Sequence, residues 1–128
     1  YKEYAIADTN EVQSVTTAAA GECDVLYIPT DNTLASVTET VYNVVAPAKI
    51  PVIAGEEGIC NGCGVATLSI SYYDLGYATG EMAYEILAEG ADITTMDVRY
   101  APNVTKKYNA KICEELGITV PDDYVAIQ

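Results

Sequence analysis

Residues 24–33 read DVLYIPTDNT, and residues 49–58 read KIPVIAGEEG. Each is a short run rich in β-branched and aliphatic residues that breaks into a polar turn, with hydroxyl, carboxylate and amide side chains in the first and two carboxylates between glycines in the second. Asp24–Pro29 and Pro51–Ala54 have strand length. Asp24–Pro29 reads as apolar enough to be buried on both faces. Between them, Leu34, Val37, Val41, Val44 and Val45 recur at helical spacing until Pro47, which predicts one helix closed by that proline. Strand, polar turn, helix, strand, polar turn is the signature of βαβ crossovers.

The pattern continues outward. Residues 3–8 (EYAIAD) predict a strand. Asn10 with Gln13 suggests a capping box, ahead of a helix carrying Val12, Val15, Thr16 and Ala19 and stopped at Gly21. Downstream, residues 58–64 (GICNGCG) predict a turn or a single helical turn, and residues 65–70 (VATLSI) a strand. A long helix is expected from Tyr73 to Ala88. Its inward stripe is Leu75, Thr79, Met82, Ala83, Ile86 and Leu87, with Gly90 at its end. Gly76 and Gly80 would let it pack closely on the sheet. Residues 96–100 (MDVRY) predict a last strand. Thr105 would then cap a helix carrying Tyr108, Ile112, Cys113 and Leu116 and ended by Gly117. The tail from Ile118 shows no period.

These units predict an α/β chain with a doubly wound, mostly parallel sheet and helices on both faces. Ligands bind such sheets beyond the C-terminal ends of the strands. Three turns qualify: Thr30-Asp31-Asn32, Gly55-Glu56-Glu57 and Ser71-Tyr72-Tyr73-Asp74.

Composition narrows the chemistry. The chain has 128 residues, 19 acidic and 6 basic side chains, a net charge of -13, four Cys, 11 Tyr and no His. Without His there is no Ser-His-Asp or Cys-His catalysis and no His-containing zinc site. The charge disfavours nucleic acid and anionic membranes as partners. No apolar run approaches the roughly 20 residues needed to span a bilayer. The first residue is Tyr1 and no signal pattern follows, which suggests a part of something longer.

Each polar turn has a bland reading beside the functional one. Asn32 or Thr33 can cap the following helix, leaving Asp31 to face a ligand, or the whole turn can be only a cap. Glu56 and Glu57 can serve acid–base chemistry or bind an ammonium, or they can form a solvated acidic turn. Glu56 lies nearer the strand end and is the better candidate. Tyr72 offers a flat face and a hydroxyl to a ring-bearing ligand, while Tyr73 can pack inward and Asp74 can cap. Cys60 and Cys63 have C-x-x-C spacing. Thiol redox chemistry wants that motif at a helix N-terminus after a strand, whereas here it precedes a strand among glycines. No phosphate-binding glycine pattern is present and no cofactor is implied.

The order Tyr27-Ile28-Pro29-Thr30-Asp31-Asn32-Thr33-Leu34-Ala35, then Lys49–Gly58, then Ser71-Tyr72-Tyr73-Asp74-Leu75-Gly76 with Gly80-Glu81-Met82-Ala83 and Ile86-Leu87, then Leu116-Gly117-Ile118-Thr119-Val120-Pro121 resembles the C-terminal half of a family of ABC-transporter substrate-binding proteins, a group linked with tryptophan, tyrosine or phenylalanine uptake. The resemblance spans nearly the whole chain, and the combination of PTDN, AGEEG and YYDLG at these spacings is specific. It implies one lobe of a type I periplasmic binding protein, with the N-terminal lobe absent and ligand held between lobes. Thr30, Asp31, Asn32, Glu56 and Tyr72 would line the cleft, with Asp31 or Glu56 meeting the ammonium of an amino acid. Residues 98–103 would be a hinge crossing, and the helix from Thr105 would belong partly to the other lobe. It further implies an ABC permease as partner, a lipoprotein anchor outside the cytoplasm in the full-length parent, no enzymatic activity, and a homodimer as one way to cover the surface a missing lobe would bare. The Cys pair has no place in the resemblance. A regulator or sensor domain of the same fold, and a thiol oxidoreductase using Cys60 and Cys63, are the alternatives.

Overall fold

The computed structural model describes residues 1–127. Helix α1 (Val12–Glu22) precedes strand β1 (Leu26–Ile28), the short helix α2 (Asn32–Ala35), helix α3 (Thr38–Ala48) and strand β2 (Val52–Ala54). Helix α4 (Glu57–Cys63), strand β3 (Ala66–Ile70) and the long helix α5 (Tyr72–Leu87) follow. A 3₁₀ turn (Ile93–Thr95), strand β4 (Val104–Tyr108), helix α6 (Ala110–Leu116) and strand β5 (Val125–Ala126) complete the chain. The sheet runs β1-β2-β3-β4-β5, and the pairs β1–β2, β2–β3 and β4–β5 are parallel. The expected mixed, mostly parallel α/β architecture is therefore present.

The chain divides into two compact units. Tyr1–Ser69 with the chain from Lys106 onward forms one, and Ile70–Thr105 forms the other. In the first unit, Leu26 and Ile28 of β1 lie beside Val52 and Ala54 of β2. With Val12, Val41, Val45, Ile59, Cys60 and Cys63 they make the main core. A second cluster joins Val65, Ile112 and Cys113. Alternation is strict along these strands. Ile28, Val52, Ala54, Thr67 and Ser69 are buried, while Tyr27 is 68% and Leu68 59% exposed. The expectation that Asp24–Pro29 is buried on both faces is corrected accordingly: Tyr27 and Val25 face out.

Several local expectations change. Residues 3–8 form no strand; Tyr4, with Lys2 just before the segment, donates to the Glu22 carboxylate, and the Ala7 N–H donates to Glu11. No Asn10–Gln13 capping box forms. The N-cap of α1 is Glu11, in helical conformation with no side-chain cap bond, because the Asp8 carboxylate takes the Asn10 N–H instead. Helix α1 runs through Gly21 to Glu22 and ends where Cys23 turns extended. The single helix expected after the TDN turn is broken at Ser36-Val37 into α2 and α3. Pro47 sits inside the last turn of α3, and it is Lys49, at φ 55°, that reverses the chain.

The expected strand at residues 96–100 is absent, and β4 forms at Val104–Tyr108. The expected Thr105 cap fails with it, since Thr105 lies in that strand. Asn109 caps α6 by accepting the Ile112 N–H, and Gly117 ends the helix at φ 68° as expected. Gly76 and Gly80 approach nothing: a Cβ at either would have no neighbour within 4 Å. Within α5, Leu75, Met82 and Ile86 are half-buried, but Thr79, Ala83 and Leu87 are exposed and no residue of the helix is fully buried.

Candidate functional site

The Thr30-Asp31-Asn32 turn follows β1 and the Gly55-Glu56-Glu57 turn follows β2. Adjacent parallel strands deliver both turns to the same sheet end. They are joined directly: the Gly55 N–H donates to Ile28 O at 2.7 Å, and the Thr30 hydroxyl donates to Gly55 O at 3.2 Å. Glycine is required at 55, because a Cβ there would fall 2.6 Å from the Thr30 nitrogen and 2.9 Å from the Pro29 carbonyl carbon. The close approach of the two backbones holds the polar turns side by side.

Both acidic candidates are engaged at helix starts. Asp31, not Asn32 or Thr33, is the N-cap of α2, its Oδ1 accepting the Leu34 N–H at 2.8 Å. That corrects the expected division of labour. Its extended backbone aims the carboxylate back at the first turn, the geometry an N-cap needs. Glu56 is likewise the N-cap of α4. Its Oε2 accepts the Gly58 N–H at 2.7 Å, and its Oε1 accepts the Ile59 N–H. Thr30, Asp31 and Asn32 are exposed and Glu56 is half-buried. The structure thus brings Thr30, Asp31, Asn32 and Glu56 together along one rim. Tyr72 opens α5 in the Ile70–Thr105 unit, with its side chain exposed, and Ser71 rather than Asp74 caps that helix.

Two features escaped the sequence pattern. Glu57 turns away from Glu56 and accepts from the Ser69 hydroxyl at 2.9 Å and the Lys107 ammonium at 2.6 Å. The Lys107 bond foremost, with help from Ser69, lowers the Glu57 carboxyl below its ordinary value against a burial cost. Within the Ile70–Thr105 unit, a shallow groove of about 430 Å³ is lined by Asp74, Tyr77 and Glu81 of α5 and by Arg99, Tyr100 and Asn103. There a single guanidinium nitrogen, Arg99 Nη2, donates to both carboxylate oxygens of Glu85, 2.7 Å to each. Neither feature has a local signal, because the partners lie 12, 50 and 14 residues apart.

The Cys pair sits differently from the expectation. Residues 57–63 form a two-turn helix after a strand, so Cys60 and Cys63 do lie on a helix in the order that redox motifs favour. Their surroundings do not suit that chemistry. Both are buried free thiols, and burial pushes each up to about 12. Neighbouring acidic groups, Glu56 among them, add to the shift. Such thiols hold almost no thiolate at neutral pH. Cys63 donates to Ile59 O inside its own helix, a packing role.

Comparison with known proteins agrees with this layout. Residues 1–127 match the family of ABC transporter substrate-binding proteins. Over 100 residues the chain is 40% identical to a tyrosine-binding protein of Clostridioides difficile (strain R20291), covering 74% of this chain and 29% of that protein. Among solved structures, the chain resembles the ABC domain from Streptococcus pneumonia in complex with L-Trp (TM-score 0.83, 30% identity), covering 99% of this chain and 45% of the other. It also resembles the ligand-free, open form of a substrate-binding protein with adhesive properties from Clostridium difficile (TM-score 0.71, 37% identity), covering 96% and 43%. The chain therefore spans less than half the length of these relatives. The whole-chain family match and the joined turns at the C-terminal ends of parallel strands lead to one assignment: this chain belongs to the ABC transporter substrate-binding protein family.

Proposed function

We propose that the chain is the C-terminal, ligand-binding half of the solute receptor of an ABC importer, and that its ligand is an aromatic amino acid. The supporting observation is the fused rim of Thr30, Asp31, Asn32 and Glu56, pinned by the Thr30–Gly55 hydrogen bond. Asp31 accepts one N–H through Oδ1, and its second oxygen is available to an α-ammonium. Thr30 and Asn32 supply a hydroxyl and an amide beside it. Tyr72 offers an aromatic face for a ring. Relatives named for tyrosine binding and solved with L-Trp support the ligand class.

In this reading a second lobe completes the clamp, and closure excludes water so that each charged hydrogen bond strengthens. The exposed face of α5 fits that picture. Tyr73, Tyr77, Gly80, Tyr84 and Leu87 lie along one stripe, with all four large side chains at least 62% exposed. We read the stripe as the seat of the other lobe, and residues 98–103 as the crossing. The receptor would be held outside the cytoplasm by a lipid anchor, would hand its ligand to a membrane permease, and would catalyse no reaction.

The test is calorimetry on the full polypeptide that carries this chain, titrated with L-Tyr, L-Trp, L-Phe and aliphatic amino acids. Heat with the aromatic set, lost or weakened at least tenfold in Asp31→Asn, supports the reading. No heat with any amino acid removes the ligand assignment.

A further inference from the structure

The two joined turns carry three carboxylates, Asp31, Glu56 and Glu57. An amino acid brings one ammonium and one carboxylate. A rim bearing three free negative charges would attract the first and repel the second. Asp31 and Glu56 are turned to helix starts and stay on the rim, Asp31 at the Leu34 N–H and Glu56 at those of Gly58 and Ile59. Glu57 is held differently. Its Oε2 accepts from the Ser69 hydroxyl at 2.9 Å and from the Lys107 ammonium at 2.6 Å. Among the described residues, this is the only ion pair that involves a carboxylate of these turns.

The pair stands at the rim's own end of the sheet. Strand β3 runs parallel to β2 with Thr67 level with Ala54, so Ser69, two residues on, comes level with Glu56. Ser69 is 5% exposed, and its hydroxyl ties the Glu57 carboxylate down at that level. The Lys107 and Glu57 side chains are 27% and 39% exposed, so water and salt screen their charges only in part. Joined, the ammonium and the carboxylate nearly cancel at the distance of the neighbouring rim. Parted, either one is a full charge beside it.

We propose that Lys107 is a positioning residue that sets the charge selectivity of the rim, a role that rests on the amino-acid reading above and deepens it. By neutralising Glu57 it leaves the rim suited to a zwitterion and not to a simple amine cation. Lys107 acts through Glu57 and touches no ligand. The pairing accounts for a third carboxylate that lies beside the rim without joining it.

The test is calorimetry on the full polypeptide that carries this chain. The ligands are L-Tyr, L-Trp and L-Phe, each beside the amine that keeps its ring and ammonium but lacks the carboxylate: tyramine, tryptamine and phenethylamine. An amine too weak for direct heat is read by displacement of its amino acid. The readout is the ratio of the two affinities. Lys107→Met should shift it toward the amine by roughly threefold or more, and Glu57→Gln toward the amino acid by a similar factor. The double variant should return to within about twofold of wild type. Damage to the fold would weaken both ligands together and leave the ratio in place. Ratios that stay unchanged, or move the same way in both single variants, overturn the proposal while wild-type binding of the amino acid leaves the ligand assignment standing. Wild type that binds none of the three amino acids overturns both. Should one single variant fail to fold, the other decides by the same ratio.

Discussion

The two units make opposite use of similar sequence. In the first, helices α1, α3 and α4 each carry a short apolar stripe, and each stripe is consumed: Val12, Val41, Val45 and Ile59 are nearly inaccessible. In the second, α5 is the longest helix among the described residues and carries as many apolar side chains, yet none is fully buried. Periodicity therefore reports that a face wants a partner and not that the partner is present. Stability should reside in the first unit, while the second leaves its apolar side chains exposed.

The largest contrast should come from truncating side chains on each side of that divide. Ile59→Ala removes a side chain that is 0% exposed, and it should cost about 2–5 kcal/mol in urea unfolding. Leu87→Ala, at a position 85% exposed, should stay within about 0.5 kcal/mol. Equal losses would mean that α5 is as deeply packed in solution as the core, and the contrast would break.

Glycines sharpen it with a change of sign. Gly62 faces Thr38, and a Cβ there would fall 2.1 Å from its hydroxyl and 2.4 Å from its Cβ. Gly62→Ala should destabilise by about 1–3 kcal/mol through overpacking. Gly76→Ala and Gly80→Ala meet nothing within 4 Å, and each should stabilise by about 0.5–1 kcal/mol by restricting the unfolded chain and favouring helix. Thermal midpoints of the three variants would show the two signs. A loss at Gly80 in the longer polypeptide, with a gain in this chain, would place a second surface against α5.

Helix caps give a smaller effect, confined to the first unit's rim. Glu56→Ala frees the Gly58 and Ile59 N–H groups, and Asp31→Ala frees that of Leu34. Each should cost about 1 kcal/mol. Asp31→Asn keeps an acceptor and should cost much less, so ligand affinity can be separated from cap strength. Ser71→Ala, the corresponding cap of α5, should loosen the start of that helix without moving the main unfolding transition.

What the sequence made legible follows the range of each interaction. The alternation of strand and helix, the three polar turns and the Gly117 stop rest on neighbours a few residues apart, and they were readable. The break between α2 and α3 and the choice of Asp31 as cap depend on the backbone turn at that point, which composition does not encode. Strand β4 was hidden because Tyr108, Ile112 and Leu116 recur four apart, which extends the helical period of α6 back to Thr105. Lys106 and Lys107 become strand residues only beside Asp123 and Glu57, which are 17 and 50 residues away. The two-turn length of α4 was hidden by its glycines. There the cap at Glu56 and burial of Ile59, Cys60 and Cys63 outweigh poor helix propensity.

The smallest effect is one of pH, and it separates the units by what holds their carboxylates. Glu57 is lowered from its ordinary 4.5 foremost by the Lys107 ammonium, with Ser69 adding to it, whereas Asp92 in the second unit is lowered by the Thr94 hydroxyl and N–H within its own turn. A carboxyl depressed in the folded state contributes stability above its unfolded value and loses it as pH falls through the folded one. Wild type should therefore exceed Glu57→Gln in unfolding free energy near pH 7. The margin should stay below about 1 kcal/mol, since the Glu57 side chain is 39% exposed and partly screened. It should shrink as pH drops below 4.5. Other depressed carboxyls, such as Glu22 and Asp123, titrate in both proteins and cancel in the difference. Asp92→Asn should leave the main transition unshifted at either pH, because that turn lies outside the buried core. A Glu57→Gln margin that is flat with pH would mean that the ion pair contributes packing rather than charge.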